Sequence, residues 1–379
     1  MVTMKFDKRY FVDCHAFDKG GQGMVTHILG IYKSLIPKCQ DIQFFLAASD
    51  ILRLKYNFSD NNNIKFIKYK FKNKFLRMLV EIPLLIIRYK ISTIHLQYYM
   101  LPYFFVKKVT SIHDLLFIDY RKYFPLFYSY KNKILFYFSI LFSDYIITVS
   151  NYSKKQIYKN YPSICHKKIE VIPNAVVVEE CGKFAELMIK TKYILYVSRI
   201  ERRKNHIALC KAFLRSRLLE KYNLVIVGRN DLGSVLFNKF LDTLNACDRN
   251  RLLILGGVLD EEIACLYKNA SLFVFPSLCE GFGIPPLEAV VCNCSTICAY
   301  NTAMKDFYFF KDRFFNASSV KEIAEKMEKY VDNNENMEII KEIVLSEYNQ
   351  NKVSDIFISR IIKNIYNSRG NYENSNNKY

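Results

Sequence analysis

Residues 275–289 read Phe275-Pro276-Ser277-Leu278-Cys279-Glu280-Gly281-Phe282-Gly283-Ile284-Pro285-Pro286-Leu287-Glu288-Ala289. An apolar run ends at Phe275-Pro276 and breaks into a loop holding Gly281 and Gly283. An apolar stretch follows that opens on Pro285-Pro286, a residue type preferred in a first helical turn. Strand, glycine loop and helix in that order form the joint of a βα unit. Glycines let backbone N–H groups approach a ligand closely, and a helix N-terminus presents the positive end of the backbone dipole, so the joint is a cradle for anions and sugar oxygens. Glu280 stands before the cradle and Glu288 in the first turns of the helix after it, where both can accept hydrogen bonds from neutral hydroxyls. A lone glycine loop is usually only a turn, and a lone helix glutamate is usually solvated. Two acids, two glycines and two prolines within nine residues make this one a candidate ligand site.

Outward from this joint, short apolar runs alternate with amphipathic segments, the pattern of an α/β protein built from βαβ units. In the first half, strands are expected at Tyr10–Cys14, Phe44–Ala47, Thr93–Gln97, Lys108–Ile112, Tyr145–Val149 and Ile169–Ile172, with helices over 24–35, 74–89, 127–142 and 151–160. In the second half, strands are expected at Tyr193–Val197, Asn223–Val227, Leu252–Leu255, Leu272–Pro276 and Ser295–Ala299. The resulting domain reading is 1–178, a polar connector, 186–350, a C-terminal helix over 351–368 crossing back to the first domain, and a polar disordered tail over 369–379. Two Rossmann-like domains facing across a cleft is the simplest architecture.

A chain of 379 residues with a net charge of +19 is long enough for two cores, and its charge is lopsided. Through residue 178 there are 27 Lys/Arg against 11 Asp/Glu, a net of +16, and only +3 remains for the rest. Lys65, Lys68, Lys70, Lys72, Lys74 and Arg77 follow one another without an acid and interleave with aromatic and aliphatic residues, and a second such run spans Arg121 to Lys133. A surface of this kind attracts an anionic partner such as a lipid headgroup, a diphosphate-linked lipid or a nucleic acid. The 11 cysteines are scattered, with no CxxC pair, and read as buried reduced thiols of a cytoplasmic protein. Cys292, Cys294 and Cys298 lie near one another without a histidine and do not read as a metal site. Neither a signal peptide nor a bilayer-length apolar run is expected, so membrane contact would be peripheral.

The stretch FPSLCEGFGIPPLEA, with Glu280 and Glu288 separated by seven residues, resembles the donor-site motif of glycosyltransferase family 4. The resemblance extends along most of the chain: Ser111-Ile112-His113-Asp114-Leu115, Ile147-Thr148-Val149-Ser150 with Ser153-Lys154, Val171-Ile172-Pro173-Asn174, and Tyr193 to Asn205 (YILYVSRIERRKN). It implies the GT-B fold and a retaining, metal-independent enzyme that takes a hexose-type sugar from a nucleotide-diphosphate donor.

Position by position, the resemblance implies that Arg199 and Lys204 grip the donor diphosphate, that Glu280 holds sugar hydroxyls and that Glu288 holds the ribose. It further places backbone amides of Gly281, Phe282, Gly283 and Ile284 on sugar and phosphate, and His113 beside the transferred sugar. Gly21 and Gly23 would leave room for the substrates, Ser150 would contact the donor, and Gly257 and Val258 would pass under the base. From the residues alone, Arg199 and Lys204 bracket a strand-to-helix turn with Asn205 as its expected N-cap. Such basic turns are usually solvated, Arg202 and Arg203 lie in this one too, and only the acid-glycine motif on a later strand of the same domain sets it apart.

The sequence departs from the family pattern at Ser198, where many relatives have glycine before the arginine, and at Asn293 and Ser295, where glycine and proline are common. Asp306 stands where a glutamate is usual. The changes at Ser198, Asn293 and Ser295 are expected to alter turn packing and not catalysis, and no role is assigned to Asp306.

The expected acceptor is a polyprenyl-diphosphate-linked oligosaccharide of O-antigen, capsule or another bacterial surface polysaccharide, reached from the cytoplasmic face of the inner membrane. No cofactor, metal or nucleic-acid partner is expected. Two other readings stand beside this one. A nucleotide-sugar epimerase or a phosphorylase would share the architecture, and only the epimerase would turn over donor without acceptor. A nucleic-acid-binding protein would use the basic, aromatic first half but leave residues 280–288 without a role.

Overall fold

The computed structural model describes residues 8–18, 22–58, 61–164, 166–179, 181, 189, 191–229 and 235–367. They form two compact units: one runs to Ile118 and includes Pro125–Ala175 and the chain from Tyr348 onward, and the other comprises Asp119–Phe124 and Val176–Glu347.

The first unit is built on seven parallel strands: β1 (Lys8–Asp13), β2 (Ile42–Ala48), β3 (Ile64–Lys68), β4 (Thr93–Gln97), β5 (Lys107–Ser111), β6 (Tyr145–Thr148) and β7 (Ile169–Val171). Their order is β3-β2-β1-β4-β5-β6-β7, so the winding reverses between β1 and β4. Alternate residues of β1 face opposite sides of the sheet. Tyr10 and Val12 enter one apolar cluster with Phe44 and Leu46, and Phe11 enters the other with Phe45, Ile94 and Leu96. The first cluster is closed by helix Gln22–Lys38 and by the end of the chain, where Gln350–Phe357, Ile358–Ile362 and Lys363–Asn367 run on as helix. Val353, Phe357, Ile361, Ile362 and Ile365 pack there with Ile28, Ile31, Tyr32 and Leu35. The C-terminal helix therefore belongs to the first unit's core, and Lys38 Nζ reaches Asp355 Oδ1 at 2.8 Å along its edge.

The second unit has six parallel strands: β8 (Tyr193–Val197), β9 (Asn223–Val227), β10 (Leu252–Leu255), β11 (Leu272–Phe275), β12 (Thr296–Ala299) and β13 (Phe314–Phe315). The order β10-β9-β8-β11-β12-β13 reverses between β8 and β11. In open parallel sheets, ligands bind beyond the strand carboxyl ends at such a reversal. The end of β9 approaches the end of β8 so closely that a Cβ on Gly228 would lie 1.8 Å from the Ser198 carbonyl oxygen, which only glycine permits.

Two strands escape a reading by periodicity. β3 is an edge strand that carries Lys65 and Lys68 among its apolar residues, which protects an open edge but disguises the strand as a charge run. β13 has two residues. Asn293 adopts φ +62°, a left-handed conformation asparagine tolerates, and its Oδ1 accepts from Lys341 Nζ at 2.7 Å. Ser295 Oγ lies 2.9 Å from the Tyr330 carbonyl and 2.8 Å from the Asn333 carbonyl, so both departures are accommodated in the turn. The expected tail over 369–379 lies outside the described residues.

Candidate functional site

Two loops leave adjacent strands at the reversal point of the second unit. After β8 the chain runs through residues 198–201 into a 3₁₀ turn, Arg202–Lys204, and helix His206–Arg215. After β11 it runs through residues 276–283 into helix Ile284–Val291. The loops are tied together by hydrogen bonds to main-chain carbonyls: Leu278 N–H donates to the Arg203 carbonyl at 2.8 Å, and the Arg203 side chain donates through Nη1 to the Cys279 carbonyl at 3.2 Å. Asn205 sits at the N-cap position with φ +62°. Its side chain does not cap the helix; instead Nδ2 bridges the carbonyls of Pro276 (3.2 Å) and Ala317 (2.7 Å). The expected cap is thus a cross-brace between loops.

Glu280 is the centre of the site and is buried. Its Oε1 accepts from Lys204 Nζ and from Ser277 Oγ, each at 2.5 Å, and Oε2 faces Arg203 Nη1 at 3.3 Å. Its own N–H donates to Thr302 Oγ1 at 2.9 Å. Burial pushes the carboxyl upward, but the charges of Lys204 and Arg203 and the hydrogen bonds from Lys204 and Ser277 outweigh it and hold Glu280 below its usual range. Burial also draws the Lys204 ammonium below its usual range, the Glu280 charge opposing this and the neighbouring Arg203 adding to it.

Arg203 is shared: its Nε pairs with Glu201 Oε2 at 2.9 Å. Arg199 does not reach Glu280. Its side chain is half exposed, with Nε 3.4 Å from Glu201 Oε1. Three cations thus gather around two carboxylates, which leaves a net positive charge beside the glycine loop, where an anion is favoured.

Gly283 has φ +104°, and a Cβ there would lie 2.4 Å from Met304 Sδ, so the loop can enter the helix in this way only with glycine. Gly281 and Phe282 are buried, the Phe282 ring standing edge-on to Phe307 with centroids 5.3 Å apart, and Ile284 is the first residue of the helix. One turn on, the half-buried Glu288 accepts from Tyr267 OH at 3.0 Å. Burial pushes its carboxyl up to about 7; the Tyr267 hydrogen bond opposes this and the charge of Asp260 adds to it. The two glutamates therefore differ near neutral pH: Glu280 is charged, and Glu288 is poised to titrate. Gly256 and Gly257 are exposed after β10, Gly257 with φ +71°, followed by half-buried Val258.

The remaining expected residues lie in the first unit. His113 follows β5, is buried, and its Nε2 lies 3.2 Å from Gln97 Oε1. Its ring packs against His27 and Tyr98, at centroid distances of 4.6 and 5.1 Å. Burial, with His27 and His95 close by, lowers its basicity well below the usual histidine range, so the ring is neutral. Ser150 is buried and caps helix Asn151–Asn160, accepting from Ser153 N–H at 3.1 Å. Gly23 lies in the first turn of helix Gln22–Lys38, and a Cβ there would meet nothing within 4 Å. Gly21 is outside the described residues.

Arg203, Ser277 and Tyr267 hold the two glutamates, and none of them stands out in the sequence. Arg203 is hidden in a basic turn, because only the 3₁₀ geometry carries it together with Lys204 onto Glu280. The cysteines, expected as reduced thiols throughout, include one bonded pair: Cys181 and Cys265 are joined in a disulfide, 84 residues apart in sequence and brought together by the fold.

With the geometry in view, two family models cover the two halves of the chain. Residues 21–180 match "Glycosyltransferase Family 4" and residues 183–344 match "Glycosyl transferases group 1". The chain belongs to glycosyltransferase family 4. Among its curated relatives, the serotype-specific mannosyltransferase WbdA of Escherichia coli is 34% identical over 140 residues, 36% of this chain and 17% of that protein. An N-acetylgalactosaminyltransferase of Campylobacter jejuni, named for a diacetylbacillosaminyl-diphospho-undecaprenol substrate, is 31% identical over 192 residues, 50% of each chain. The chain thus spans half or less of the length of these relatives. Among solved structures, Anabaena HepE in complex with UDP and glucose superposes with a TM-score of 0.69 at 12% identity, covering 94% of this chain and 100% of that one. This likeness establishes the GT-B fold of the family member described here.

Proposed function

We propose that the protein is a retaining glycosyltransferase that moves a hexose-type sugar from a nucleotide-diphosphate donor to a lipid-linked glycan acceptor in bacterial surface-polysaccharide synthesis. The observation that carries the reading is Glu280, held charged between Lys204 and Arg203 at the reversal point of the second unit, beside the glycine entry to helix Ile284–Val291. A charged carboxylate accepts sugar hydroxyls, and the adjacent cations neutralise a leaving diphosphate, the role a metal ion plays elsewhere.

In this reading the bond from the anomeric carbon to the diphosphate oxygen breaks as the acceptor oxygen bonds to that carbon from the same face. The acceptor proton passes to the departing phosphate. Lys204, with Arg199, stabilises the charge that develops on the diphosphate, and Glu280 and Glu288 hold sugar and ribose hydroxyls. His113, being neutral, serves as a hydrogen-bonding partner of the transferred sugar.

The lipid-linked acceptor is supported by the net +16 of the first 178 residues and by the diphospho-undecaprenol in the name of the Campylobacter relative. Among the described residues no helix is long and apolar enough to cross a membrane. In this reading the protein is a peripheral enzyme on the cytoplasmic membrane face.

Transfer from a radiolabelled nucleotide sugar tests the assignment. Glu280→Ala and Lys204→Ala should each abolish it in protein whose thermal unfolding is retained, and the wild-type rate should survive EDTA. Wild-type rates in both variants would remove the assignment. Donor consumption by the wild type without any acceptor would favour the epimerase instead.

A further inference from the structure

The helical stretch Lys74–Leu76, Arg77–Glu81 and Ile82–Tyr89 of the first unit carries two cations that the donor site does not use. Arg77 is only 5% exposed. Its guanidinium stands over the Tyr69 ring at 4.9 Å, yet its Nε has no hydrogen-bond partner, and no carboxylate of the described residues is within ion-pair distance of it. The two acids nearby are already engaged. Asp13 takes His15 Nδ1 at 2.8 Å and Tyr69 OH at 2.9 Å, and Glu81 takes the backbone N–H groups of Lys70 (2.6 Å) and Phe71 (3.1 Å).

Lys74 Nζ lies 3.6 Å from the centroid of the Tyr99 ring. Burial pulls its ammonium down to about 8; the charge of Asp13 opposes this, and those of Arg77 and Lys131 add to it. A buried guanidinium with an unmet donor and a partly desolvated ammonium beside it are costly arrangements. An anion supplying several acceptor oxygens would relieve both. A phosphate fits best, because the planar guanidinium matches two of its oxygens and an ammonium serves a third as a point charge.

The location agrees. Asp13 ends β1 and Tyr98 and Tyr99 follow β4, so the cations lie at the carboxyl ends of the strands where the winding of this sheet reverses. On the outer side of the same helical stretch, Phe75, Leu79, Leu84 and Ile87 are 59–75% exposed, flanked by Lys70, Lys72, Arg88 and Lys90. An apolar helix face edged by lysines and arginines lies down on an anionic lipid surface.

We infer that Lys74 and Arg77 form a second phosphate subsite, in the first unit, which takes a phosphate or diphosphate ester carried by a lipid. The inference deepens the lipid-linked acceptor reading above and rests on it for the lipid, but not for the phosphate.

Two measurements test it. The first is calorimetric titration with inorganic pyrophosphate in an Arg199→Met/Lys204→Met background, which removes two of the three cations of the second unit's site. Binding should persist there and weaken by about tenfold or more, some 1.4 kcal/mol, on adding Lys74→Met or Arg77→Lys. Lys74→Met guards against a folding defect, since Lys74 is half-buried in the first helical turn. The second is flotation with phosphatidylcholine vesicles containing either phosphatidylglycerol or a polyprenyl diphosphate at matched charge.

Loss confined to the polyprenyl diphosphate vesicles identifies the acceptor diphosphate as the ligand, and equal loss on both identifies a headgroup phosphate. Pyrophosphate binding that depends on Lys74 without any retention by polyprenyl diphosphate vesicles keeps the subsite and removes the lipid-linked acceptor. If the Lys74→Met protein matches its parent with pyrophosphate and with both vesicle types, the subsite does not exist.

Discussion

Arg203 shows how a neighbour sets the state of Glu280, the carboxylate proposed to hold the donor sugar. It bonds Glu280, Glu201 and the Cys279 carbonyl at once, so it fixes the rotamer of Glu280 while Lys204 supplies the shorter contact. Arg203 is a positioning residue in this arrangement. Arg203→Met should lower kcat/KM by roughly 10- to 100-fold, about 1–3 kcal/mol, mostly through KM for the donor, with partial rescue by Arg203→Lys. An unchanged KM would show that Lys204 and Ser277 suffice.

Glu288 supplies a pH test. Its carboxyl is raised to about 7 in the fold, so between its ordinary value and 7 the folded protein keeps a proton that the unfolded chain has lost, and ionisation as pH rises costs stability. In the role proposed for Glu288, a donor hydroxyl is best accepted by the ionised form. Donor affinity should therefore increase as pH rises from about 6 to about 8 in the wild type, approaching roughly tenfold per pH unit below 7, and should be flat in Glu288→Gln. A parallel slope in the variant would assign the titration to another group.

At the scale of elements, the first unit is pinned by a buried chain of hydrogen bonds. His27 on helix Gln22–Lys38 faces Asn174 Oδ1 (2.9 Å) and Ser111 Oγ (3.1 Å), and His95 on β4 faces the same Ser111 Oγ (2.7 Å) and Tyr32 OH (2.5 Å). Asn174 Oδ1 only accepts, so His27 donates through Nδ1 and receives Ser111 O–H at Nε2. Ser111 then receives the proton of His95 Nε2, and Tyr32 donates to His95 Nδ1.

Every link thus uses a neutral ring. Burial lowers His27 to about 4, opposed by the Asn174 hydrogen bond, and lowers His95 to about 3, with His27 adding to the effect and Asp13 opposing it. The folded-state values lie below the unfolded one, so this stability is full above about pH 6.5 and drains as pH falls toward about 4. Hydrogen exchange should show β4, β5 and helix Gln22–Lys38 loosening at about pH 5 relative to about pH 7, by about 2 kcal/mol for His27 alone. In a variant that retains the fold, His27→Gln should flatten that dependence. Protection that does not change with pH would mean that these rings are not the titrating groups.

At the scale of the whole molecule, the last helices are core and not appendage. Ending the chain at Tyr348 would remove Val353, Phe357, Ile361, Ile362 and Ile365 from the cluster around Tyr32 and strip one face of the first sheet. The loss of these five buried side chains, about 1.5–3 kcal/mol each, is as large as the whole stability of an ordinary domain. Such a truncation should express as aggregate, or with the first unit unfolded by near-UV circular dichroism. A soluble, cooperatively unfolding product would contradict this role.

Much of this was legible in the amino-acid order. Buried parallel strands are apolar on both faces, so each expected strand coincides with an observed one to within two residues at either end. Residues 275–289 disclosed the strand, the glycine turn, the helix and their carboxylates, because those are local consequences of φ, ψ and side-chain type. Contacts between loops were not legible. Glu280 meets Arg203 and Lys204 because β8 and β11 are neighbours, and no local pattern encodes that pairing.

The turn that follows Val197 and the turn that follows Phe275 are remote in the chain, and only the order β10-β9-β8-β11-β12-β13 sets them side by side. The same holds for the Cys181–Cys265 disulfide, for Ser111 shared between two histidines, and for the Arg77 Nε left without an acceptor. Local sequence determined which elements form and which chemistry each loop carries. Tertiary structure alone decided which charges face one another, because burial and a few ångströms of separation set the strength of an electrostatic contact, and neither is written in the order of residues.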